Sequence, residues 1–411
     1  MRKALKLLGL ALLGIVLIAG GAAAYIAATG IPSYAPGHVK LEVDVTPERV
    51  ARGRRSAQML CVACHLDTNT GKLSGHRMPD LPPQFGVAVS ANITQDKDTG
   101  IGAWTDGEIA YLLRTGITRD GRYTPPWMVK LPNLADEDLK DIIAFLRSDD
   151  PLVQAVKGKP ASSEPSFFTK FLCRVAFKPL PWPAQPIPRP DANDPVAVGR
   201  YLVDAHAQCF ACHSVDFAKN DDLRPERSAG HLGGGNPMPD MLGRKVVTSN
   251  ITFHAETGLG KWSEDEFVRA LRFGVRPDRS VLVYPMVPYP ELTDGEARAI
   301  YAYLRTVPQI DNAVARPPVQ AVTGGEAGRA AYYRYACNTC HGDTGLGAFD
   351  LRNGARNYPT DDGLIAYIRH PEQFKPGVKM PTWDGVIADE DYPPLAAYVR
   401  KLCAEPLRPS P

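Results

Sequence analysis

Hydrophobic residues form two kinds of pattern along the chain. An unbroken apolar run, residues 7–30, follows the basic start MRKALK, and no charged residue occurs in positions 7–37. Beyond it, apolar residues recur at helical spacing in short segments, separated by stretches rich in the chain's 38 prolines and 36 glycines. This pattern predicts one long apolar helix followed by a mainly α-helical body with short helices.

The apolar run has two interpretations. It spans 24 residues, and about 20 helical residues cross a bilayer core, so it is long enough for a retained membrane anchor. Its basic flank predicts that the start stays in the cytoplasm and that the body is exported. A cleaved signal peptide is the alternative, because GGAAAYIAA offers small-residue cleavage sites. Residues 1–30 are therefore predicted to be an anchor or a signal peptide, with the body on the periplasmic side of a bacterial inner membrane.

The body contains three related units. CVACH at Cys61 recurs as CFACH at Cys209 and as CNTCH at Cys337, and residues 91–116 match residues 249–274 without a gap. Each unit closes with a helix-like segment: LADEDLKDIIAFLRS, LTDGEARAIYAYLRT or EDYPPLAAYVRKL. The repeats predict domains at 45–150, 190–307 and 322–405, with a linker rich in proline and aromatic residues at 151–189 and a second linker at 308–321.

A glycine interrupts the helical pattern that opens each unit. These glycines are Gly53 in PERVARGRRSAQML, Gly199 in PVAVGRYLVDAHAQ and Gly328 in GEAGRAAYYRYA. An interior glycine costs about 1 kcal/mol relative to alanine, so another element must gain from its small size. The pattern predicts that each opening helix touches the closing helix of its own unit, near the aromatic residue of that closing helix.

Composition and charge exclude several classes of function. The chain has 411 residues, 44% hydrophobic and 22% charged, which is ordinary for a globular protein of several domains. Lys and Arg total 47 against 45 Asp and Glu, which disfavours a nucleic-acid binder with a concentrated basic face. No Ser/His/Asp arrangement, Walker loop or dinucleotide fingerprint occurs in the sequence.

The CxxCH motifs carry the candidate chemistry. In a helical turn the positions i, i+3 and i+4 share a face, so two thiols and an imidazole project together. That arrangement suits covalent haem c, with two thioethers to the porphyrin and the histidine on the iron. A zinc site or a thioredoxin-like pair does not explain a histidine after every CxxC. We therefore predict three covalently bound haem c groups, on Cys61, Cys64 and His65; on Cys209, Cys212 and His213; and on Cys337, Cys340 and His341.

The repeat also indicates which residue faces each histidine in the first two units. Met128 and Met286 each lie 36 residues after the asparagine of an Asn-Ile-Thr triplet, in proline-rich loops that can hold a sulfur in place. Met78 and Met238 are the rivals, but they precede the triplet by unequal gaps of 14 and 12 residues and are interpreted as core residues. Met128 and Met286 are therefore predicted to be iron ligands.

In the third unit, Met380 lies in KPGVKMPTWDG, again beside a proline, and is the predicted ligand opposite His341. A histidine and a methionine on every iron leave no open position, which favours electron transfer over catalysis at the haem. No catalytic residue is predicted.

Several further residues have open interpretations. Asn92, Asn250, Trp104 and Trp262 repeat between the first two units, and either contact haem or maintain the fold. His206 has no counterpart in the other units and is interpreted as a surface residue or as a neighbour of the haem histidine. Cys173 and Cys403 either form a disulfide or are buried thiols.

The first two units resemble the cytochrome c subunit of membrane-bound bacterial alcohol and gluconate dehydrogenases. The resemblance covers residues 45–307 and is carried by CVACH, CFACH, the NIT…TGIGAW and NIT…TGLGKW blocks, and the loops PPWM and YPMVPY. It implies three haems, export, a role at the membrane, and electrons passing from a catalytic partner subunit to a quinone or another carrier. The third unit lacks the NIT block and looks more like single-haem domains attached to respiratory oxidases and reductases.

The predicted fold is thus three tandem class I-type cytochrome c domains behind the N-terminal segment. The predicted function is electron transfer within an oxidoreductase complex, without being its catalytic subunit. A free-standing carrier between respiratory complexes is the alternative. A haem enzyme such as a peroxidase is disfavoured, because each histidine has a candidate methionine partner.

Overall fold

The computed structural model describes residues 2–78, 81–158, 161–239, 245–282, 284–315, 326–342, 344–345, 349–375 and 378–404. Within these ranges the fold is mainly α-helical, as the hydrophobic pattern predicts. The first part of the chain forms helices α1 (Arg2–Thr29), α2 (Pro47–Leu60), α3 (Val62–His65), α4 (Asp106–Thr115), α5 (Asp136–Leu146) and α6 (Phe167–Val175).

The central part forms α7 (Pro195–Tyr201), α8 (Cys209–His213), α9 (Glu264–Phe273) and α10 (Asp294–Leu304), and α7 continues into a π-helical turn, Leu202–His206. The last part forms α11 (Ala327–Arg334), α12 (Cys337–His341), α13 (Arg352–Asn357), α14 (Asp361–Arg369), α15 (Pro371–Phe374) and α16 (Tyr392–Ala404). Two short antiparallel ladders join β1 (Gly86–Val87) to β2 (Glu164–Pro165) and β3 (Pro237–Pro239) to β4 (Lys245–Val247).

Helix α1 is long and uncovered. It is 28 residues long, its most apolar stretch has a mean hydropathy of 2.4, and none of that stretch is buried against the rest of the protein. The helix is therefore long and apolar enough to cross a membrane. The predicted apolar N-terminal helix is confirmed.

Local sequence signals explain where several helices begin and end. Capping boxes start α4, α9 and α10, each with a Ser or Thr that accepts from the backbone of a glutamate three residues later. Helices α4 and α9 end at Gly116 and Gly274, whose φ angles of 79° and 78° are left-handed. The ungapped match between residues 91–116 and 249–274 therefore corresponds to the same capped helix in both units.

The opening and closing helices of each unit cross at the predicted glycine. A Cβ atom on Gly53 would lie 1.8 Å from the carbonyl oxygen of Asp141 in α5. A Cβ atom on Gly199 would lie 1.9 Å from the carbonyl oxygen of Ala299 in α10. A Cβ atom on Gly328 would lie 1.9 Å from the carbonyl oxygen of Pro394 in α16. The Cβ atoms of Phe145, Tyr303 and Tyr398, one in each closing helix, lie within 3.0 Å of these positions, which confirms the prediction.

Three hydrophobic cores follow the three units, but their members cross the predicted boundaries. The first core is centred on α5, the second on α10 and the third on α16. Met59 of α2 packs against the second core, and Tyr201 of α7 packs against both the first and the second. Val281, from the second unit, is buried in the third core. Neighbouring units therefore pack directly against each other.

The segment predicted as the first linker is attached to the first unit along its length. Thr169 Oγ1 in α6 donates to the carbonyl of Phe85, at 2.7 Å. Farther along, Trp182 stacks on Tyr111, with ring centroids 5.9 Å apart. Residues 316–325, which include part of the predicted second linker, lie outside the described residues.

Candidate haem sites

Each CxxCH motif forms a short helix that orients its histidine in the same way; His65 and His213 are buried and His341 is half-buried. His65 Nδ1 lies 2.8 Å from the carbonyl oxygen of Ala91, and His213 Nδ1 lies 2.8 Å from that of Ser249. His341 Nδ1 lies 2.8 Å from the carbonyl oxygen of Phe349. A carbonyl only accepts, so each Nδ1 carries the proton. The lone pair on Nε2 is therefore the one available to a metal.

The protonation of these histidines fits iron binding. Burial lowers the pKa of His65, His213 and His341, and this effect outweighs the backbone hydrogen bond, which acts in the opposite direction. The imidazoles are therefore neutral at physiological pH. A histidine must be neutral to act as a metal ligand.

The Asn-Ile-Thr triplets hold the carbonyls that orient the first two histidines. Asn92 directly follows Ala91, and its Oδ1 accepts from the backbone and side chain of Thr94, at 2.9 and 2.7 Å. Its Nδ2 donates to the carbonyl of Val156, at 3.0 Å. Asn250 repeats this arrangement in the second unit with Thr252 and Ile310. These bonds favour the fold-maintaining interpretation of both asparagines.

Five of the six cysteines in the CxxC pairs have pKa values well above those of reactive cysteines. Burial raises the pKa of Cys61, Cys209 and Cys337 to about 12. It raises the pKa of Cys212 and Cys340 to about 11. Such thiols are poor nucleophiles at neutral pH, which disfavours a thiol-based redox enzyme.

The third motif lines a cavity of about 830 Å³. Cys337, Cys340, His341 and Met380 all lie on its wall, together with Trp383 and other aromatic residues of the third unit. A largely apolar cavity with two thiols, an imidazole and a thioether has the donor set and the lining that a covalently attached haem requires. The residues present therefore fit the group, and the structure brings Met380 to the same cavity as His341.

The other two predicted methionine ligands lie in half-buried loops. Met128 N donates to the carbonyl of Pro125 at 3.0 Å, and Lys130 Nζ donates to the carbonyls of Thr124 and Pro125, each at 2.7 Å. These bonds close a compact loop around Met128. Met286 packs against the second core. The assignment of Met128, Met286 and Met380 as iron ligands stays a prediction.

Comparisons with known proteins support this chemistry. The family model described as "Cytochrome c" matches residues 50–149, and the one described as "Cytochrome C oxidase, cbb3-type, subunit III" matches residues 324–399. The gluconate 2-dehydrogenase cytochrome c subunit of Pantoea cypripedii is 30% identical over 327 residues, 74% of this chain and 71% of that protein. The chain belongs to the family of dehydrogenase cytochrome c subunits. It is thus a covalent haem c protein that transfers electrons, and not a catalytic subunit.

Two other relatives match most of this chain but differ in how much of their own length it covers. The cytochrome c subunit of an alcohol dehydrogenase (quinone) from Gluconobacter oxydans is 27% identical and covers 87% of the chain and 79% of its own length. A nicotinate dehydrogenase subunit of Pseudomonas putida is 30% identical over 85% of the chain, but the chain spans only 30% of that longer protein.

The structure of the cytochrome subunit corrects the expectation of a surface position for His206. This histidine is 4% exposed, and its Nε2 lies 3.1 Å from Ser56 Oγ in α2. It is therefore buried between the first and second units.

Cys173 and Cys403, both within the described ranges, form no disulfide. Cys173 is buried in α6, and Cys403 Sγ donates to the carbonyl of Leu351 at 3.1 Å.

Sequence reasoning missed the residues that join the three units of the cytochrome subunit. Glu291, 6% exposed in the second unit, forms an ion pair with Lys379, which directly precedes Met380. Gln58, three residues before Cys61, donates to Glu291 Oε1 at 2.8 Å when its amide is oriented to satisfy its polar neighbours. One buried carboxylate thus contacts all three units. None of these residues repeats between units, so no pattern in the sequence marks them.

Proposed function

We propose that this cytochrome subunit accepts electrons from a catalytic dehydrogenase subunit and passes them over three covalently bound haems to a quinone or another respiratory carrier. The observation that supports a count of three is the triple recurrence of one geometry. Each motif helix places the histidine Nδ1 2.8 Å from a backbone carbonyl oxygen. A degenerate motif that had lost its haem would have no reason to keep that geometry.

In this proposal each unit supplies a complete set of ligands. Bound haem c would take up and release one electron per iron. The attachment cysteines are Cys61, Cys64, Cys209, Cys212, Cys337 and Cys340, and the iron ligands are His65, Met128, His213, Met286, His341 and Met380.

Contacts between neighbouring units tie the three sites to one another. Gln208 Nε2 donates to the carbonyl of Lys130 at 2.7 Å, which ties the residue before Cys209 to the loop that carries Met128. Glu291 joins the residue before Met380 to the helix that leads into Cys61. These links fix the spacing between neighbouring sites, on which the rate of electron transfer between them depends.

The proposed location is the periplasmic side of the inner membrane, with α1 as the anchor. The basic residues at the start of α1 favour a cytoplasmic N-terminus. Its large apolar side chains have no protein cover, with Leu7 69% exposed and Ile18 75% exposed. A lipid environment accounts for that exposure, whereas water does not. The proposed partners are a catalytic dehydrogenase subunit or another redox protein, the membrane and a quinone, with no nucleic acid.

The proposal is tested by purifying the full chain from its native membrane. The haem-to-protein ratio, from the absorbance of reduced haem c against quantitative amino-acid analysis, is expected to be three. A dehydrogenase subunit is expected to co-purify and to reduce the haems when its substrate is added, and a soluble quinone analogue is expected to reoxidise them. A ratio of two would overturn the third site. Full haem loading without any associated dehydrogenase would instead support the free-standing carrier.

A further inference from the structure

Helix α6 presents an apolar face that is largely open to solvent. Four residues form that face: Phe167, Phe168, Phe171 and Val175, which are 48, 44, 40 and 57% exposed. At 100° per residue, these four positions fall within an arc of about 100°. Thr169 and Cys173, on the opposite face, are completely buried against the first unit. The exposed face is therefore a continuous stripe and not a set of scattered side chains.

Helix α6 also lies against the last turn of α1. Arg174 Nη2 donates to Thr29 Oγ1 at 2.6 Å and to the carbonyl of Gly30 at 2.9 Å. The guanidinium of the same arginine lies 5.1 Å from the centre of the Tyr25 ring. The exposed stripe of α6 thus lies beside the C-terminal end of α1.

The length of α1 places this contact at a membrane surface. Lys6 and Tyr25 are 19 residues apart, which is about 28 Å along a helix. The hydrocarbon core of a bilayer is about 30 Å thick. If Lys6 lies at the cytoplasmic surface, Tyr25 reaches the opposite interface, where tyrosine is enriched. Arg174 and α6 then lie at the level of the outer headgroups.

The charges beside the stripe complement a lipid surface. Lys170 and Arg174 lie along one edge of the stripe on the helical wheel, and Lys178 follows the end of α6. An apolar face flanked by basic residues is the pattern of a helix that lies in the plane of an anionic membrane surface.

We propose that α6 is a second membrane contact, lying parallel to the bilayer with its Phe167–Val175 stripe in the headgroup and upper acyl region. The inference rests on the proposed anchoring by α1 and goes beyond it. A single spanning helix would leave the cytochrome free to tilt, whereas two contacts fix one face of the first unit toward the membrane.

The contacts of α6 identify that face. Phe168 packs on Phe85, with ring centroids 5.6 Å apart, and Phe85 packs on Trp127, with ring centroids 6.3 Å apart. Trp127 directly precedes the predicted ligand Met128. The loop of the first predicted haem site therefore lies on the membrane-facing side of the first unit.

The test uses the full chain in vesicles of phosphatidylethanolamine and phosphatidylglycerol that carry a diazirine on one acyl chain. After irradiation, mass spectrometry of the digested protein locates the lipid adducts. We expect adducts on α1 and on α6. Adducts on α1 with none on α6 would overturn the inference and leave the anchoring intact, whereas no adducts on either helix would refute the anchoring itself. The wild-type result decides the question without any variant.

A matched pair of variants sharpens the result. Phe167→Ser combined with Phe171→Ser removes half of the stripe and leaves Phe168 on its neighbour Phe85. This variant is expected to lose α6 adducts several-fold while α1 adducts and the haem absorption spectrum stay unchanged. Phe217→Ser replaces an equally exposed phenylalanine of the second unit, at 51%, and is expected to change neither set. Equal loss of α6 adducts in both variants would contradict a role for the stripe.

Discussion

The side chain of Gln208 donates to the backbone carbonyl of Lys130 at 2.7 Å and so joins two predicted haem sites. Gln208 directly precedes Cys209, the first attachment residue of the second unit, and Lys130 lies two residues after Met128 in the first. Gln208 has a left-handed backbone, with φ 50°. The equivalent residue of the third unit, Ala336, has φ 54°, so alanine is compatible with this conformation.

Gln208→Ala is therefore expected to remove one hydrogen bond and little else. The free energy of unfolding should fall by about 1 kcal/mol, as measured by chemical denaturation. The absorption band of methionine-ligated ferric haem should be lost at a lower denaturant concentration, because the loop that carries Met128 loses its tie. Gln373→Ala, an exposed glutamine of the third unit, serves as the control. An unchanged Gln208→Ala variant would show that the contact does not hold the loop.

Replacement of the predicted methionine ligands tests the coordination. Each of Met128→Ala, Met286→Ala and Met380→Ala is expected to convert one haem of the three to a high-spin or ligand-exchanged form. The reduction potential of that haem should fall, since methionine ligation raises it. Optical and electron paramagnetic resonance spectra, with a redox titration, measure both effects.

Met78→Ala and Met238→Ala are the matched controls for these substitutions. Met78 N donates to the carbonyl of Ala88 at 2.9 Å, and Met238 lies in β3. Both variants are expected to keep all three low-spin spectra. If a control loses a low-spin signal that its ligand counterpart keeps, the assignment in that unit is reversed.

The helix crossing at Gly328 gives a sharp prediction on stability. A methyl group there would lie 1.9 Å from the carbonyl oxygen of Pro394, with no flexible side chain to give way. Gly328→Ala is expected to destabilise the third unit by about 3 kcal/mol, because overpacking typically costs about 1–3 kcal/mol and this contact is with rigid backbone. Thermal unfolding followed at the haem absorption measures the effect.

Gly295→Ala is the control for a glycine-to-alanine change within a helix. Gly295 lies in α10, and a Cβ atom there would meet nothing within 4 Å. This variant is expected to leave stability unchanged or to raise it by up to about 1 kcal/mol. Similar losses from both variants would mean that the helices do not pack as described.

The burial of His206 predicts a dependence of stability on pH. Burial lowers the pKa of His206 below its ordinary value of 6.5, against a smaller opposing effect of Asp138 and with Arg55 and Glu296 also acting on it. The unfolded chain therefore binds a proton near pH 6.5 that the folded chain does not. The stabilisation that depends on neutral His206 is fully present above pH 6.5 and is lost as the pH falls below it, by at most about 1.4 kcal/mol per pH unit for this one group.

His206→Gln is expected to flatten this slope between pH 6.5 and pH 5 in chemical denaturation of the full chain. His38→Gln, at an exposed position, should leave the slope as it is in the wild type. An identical slope in the wild type and the His206→Gln variant would place the pH dependence elsewhere.

Features that repeat along the chain could be predicted, and so could the long apolar helix α1, but contacts that occur once between units could not. The motif helices, the crossing glycines and the closing helices each appear three times, so comparison within one sequence separates signal from chance. Gln208, His206 and Glu291 act between units, and their partners are distant in sequence. Nothing local distinguishes a glutamate that ends up 6% exposed from the many that stay in water.

Helix α6 was missed for a different reason. The prolines around it favour the interpretation of residues 151–189 as a linker. Its start was nevertheless encoded, because Ser166 accepts from the backbone of Thr169 as an N-cap. A nine-residue helix between proline-rich stretches gives too short a periodic pattern to stand out from its surroundings.

The burial of Val281 in the core of the third unit has a consequence for how such chains evolve. A shorter chain without the third unit would turn Val281 toward water. Gaining or losing that unit therefore demands substitutions on the surface of the second unit as well, and the modules of this protein are not freely exchangeable parts.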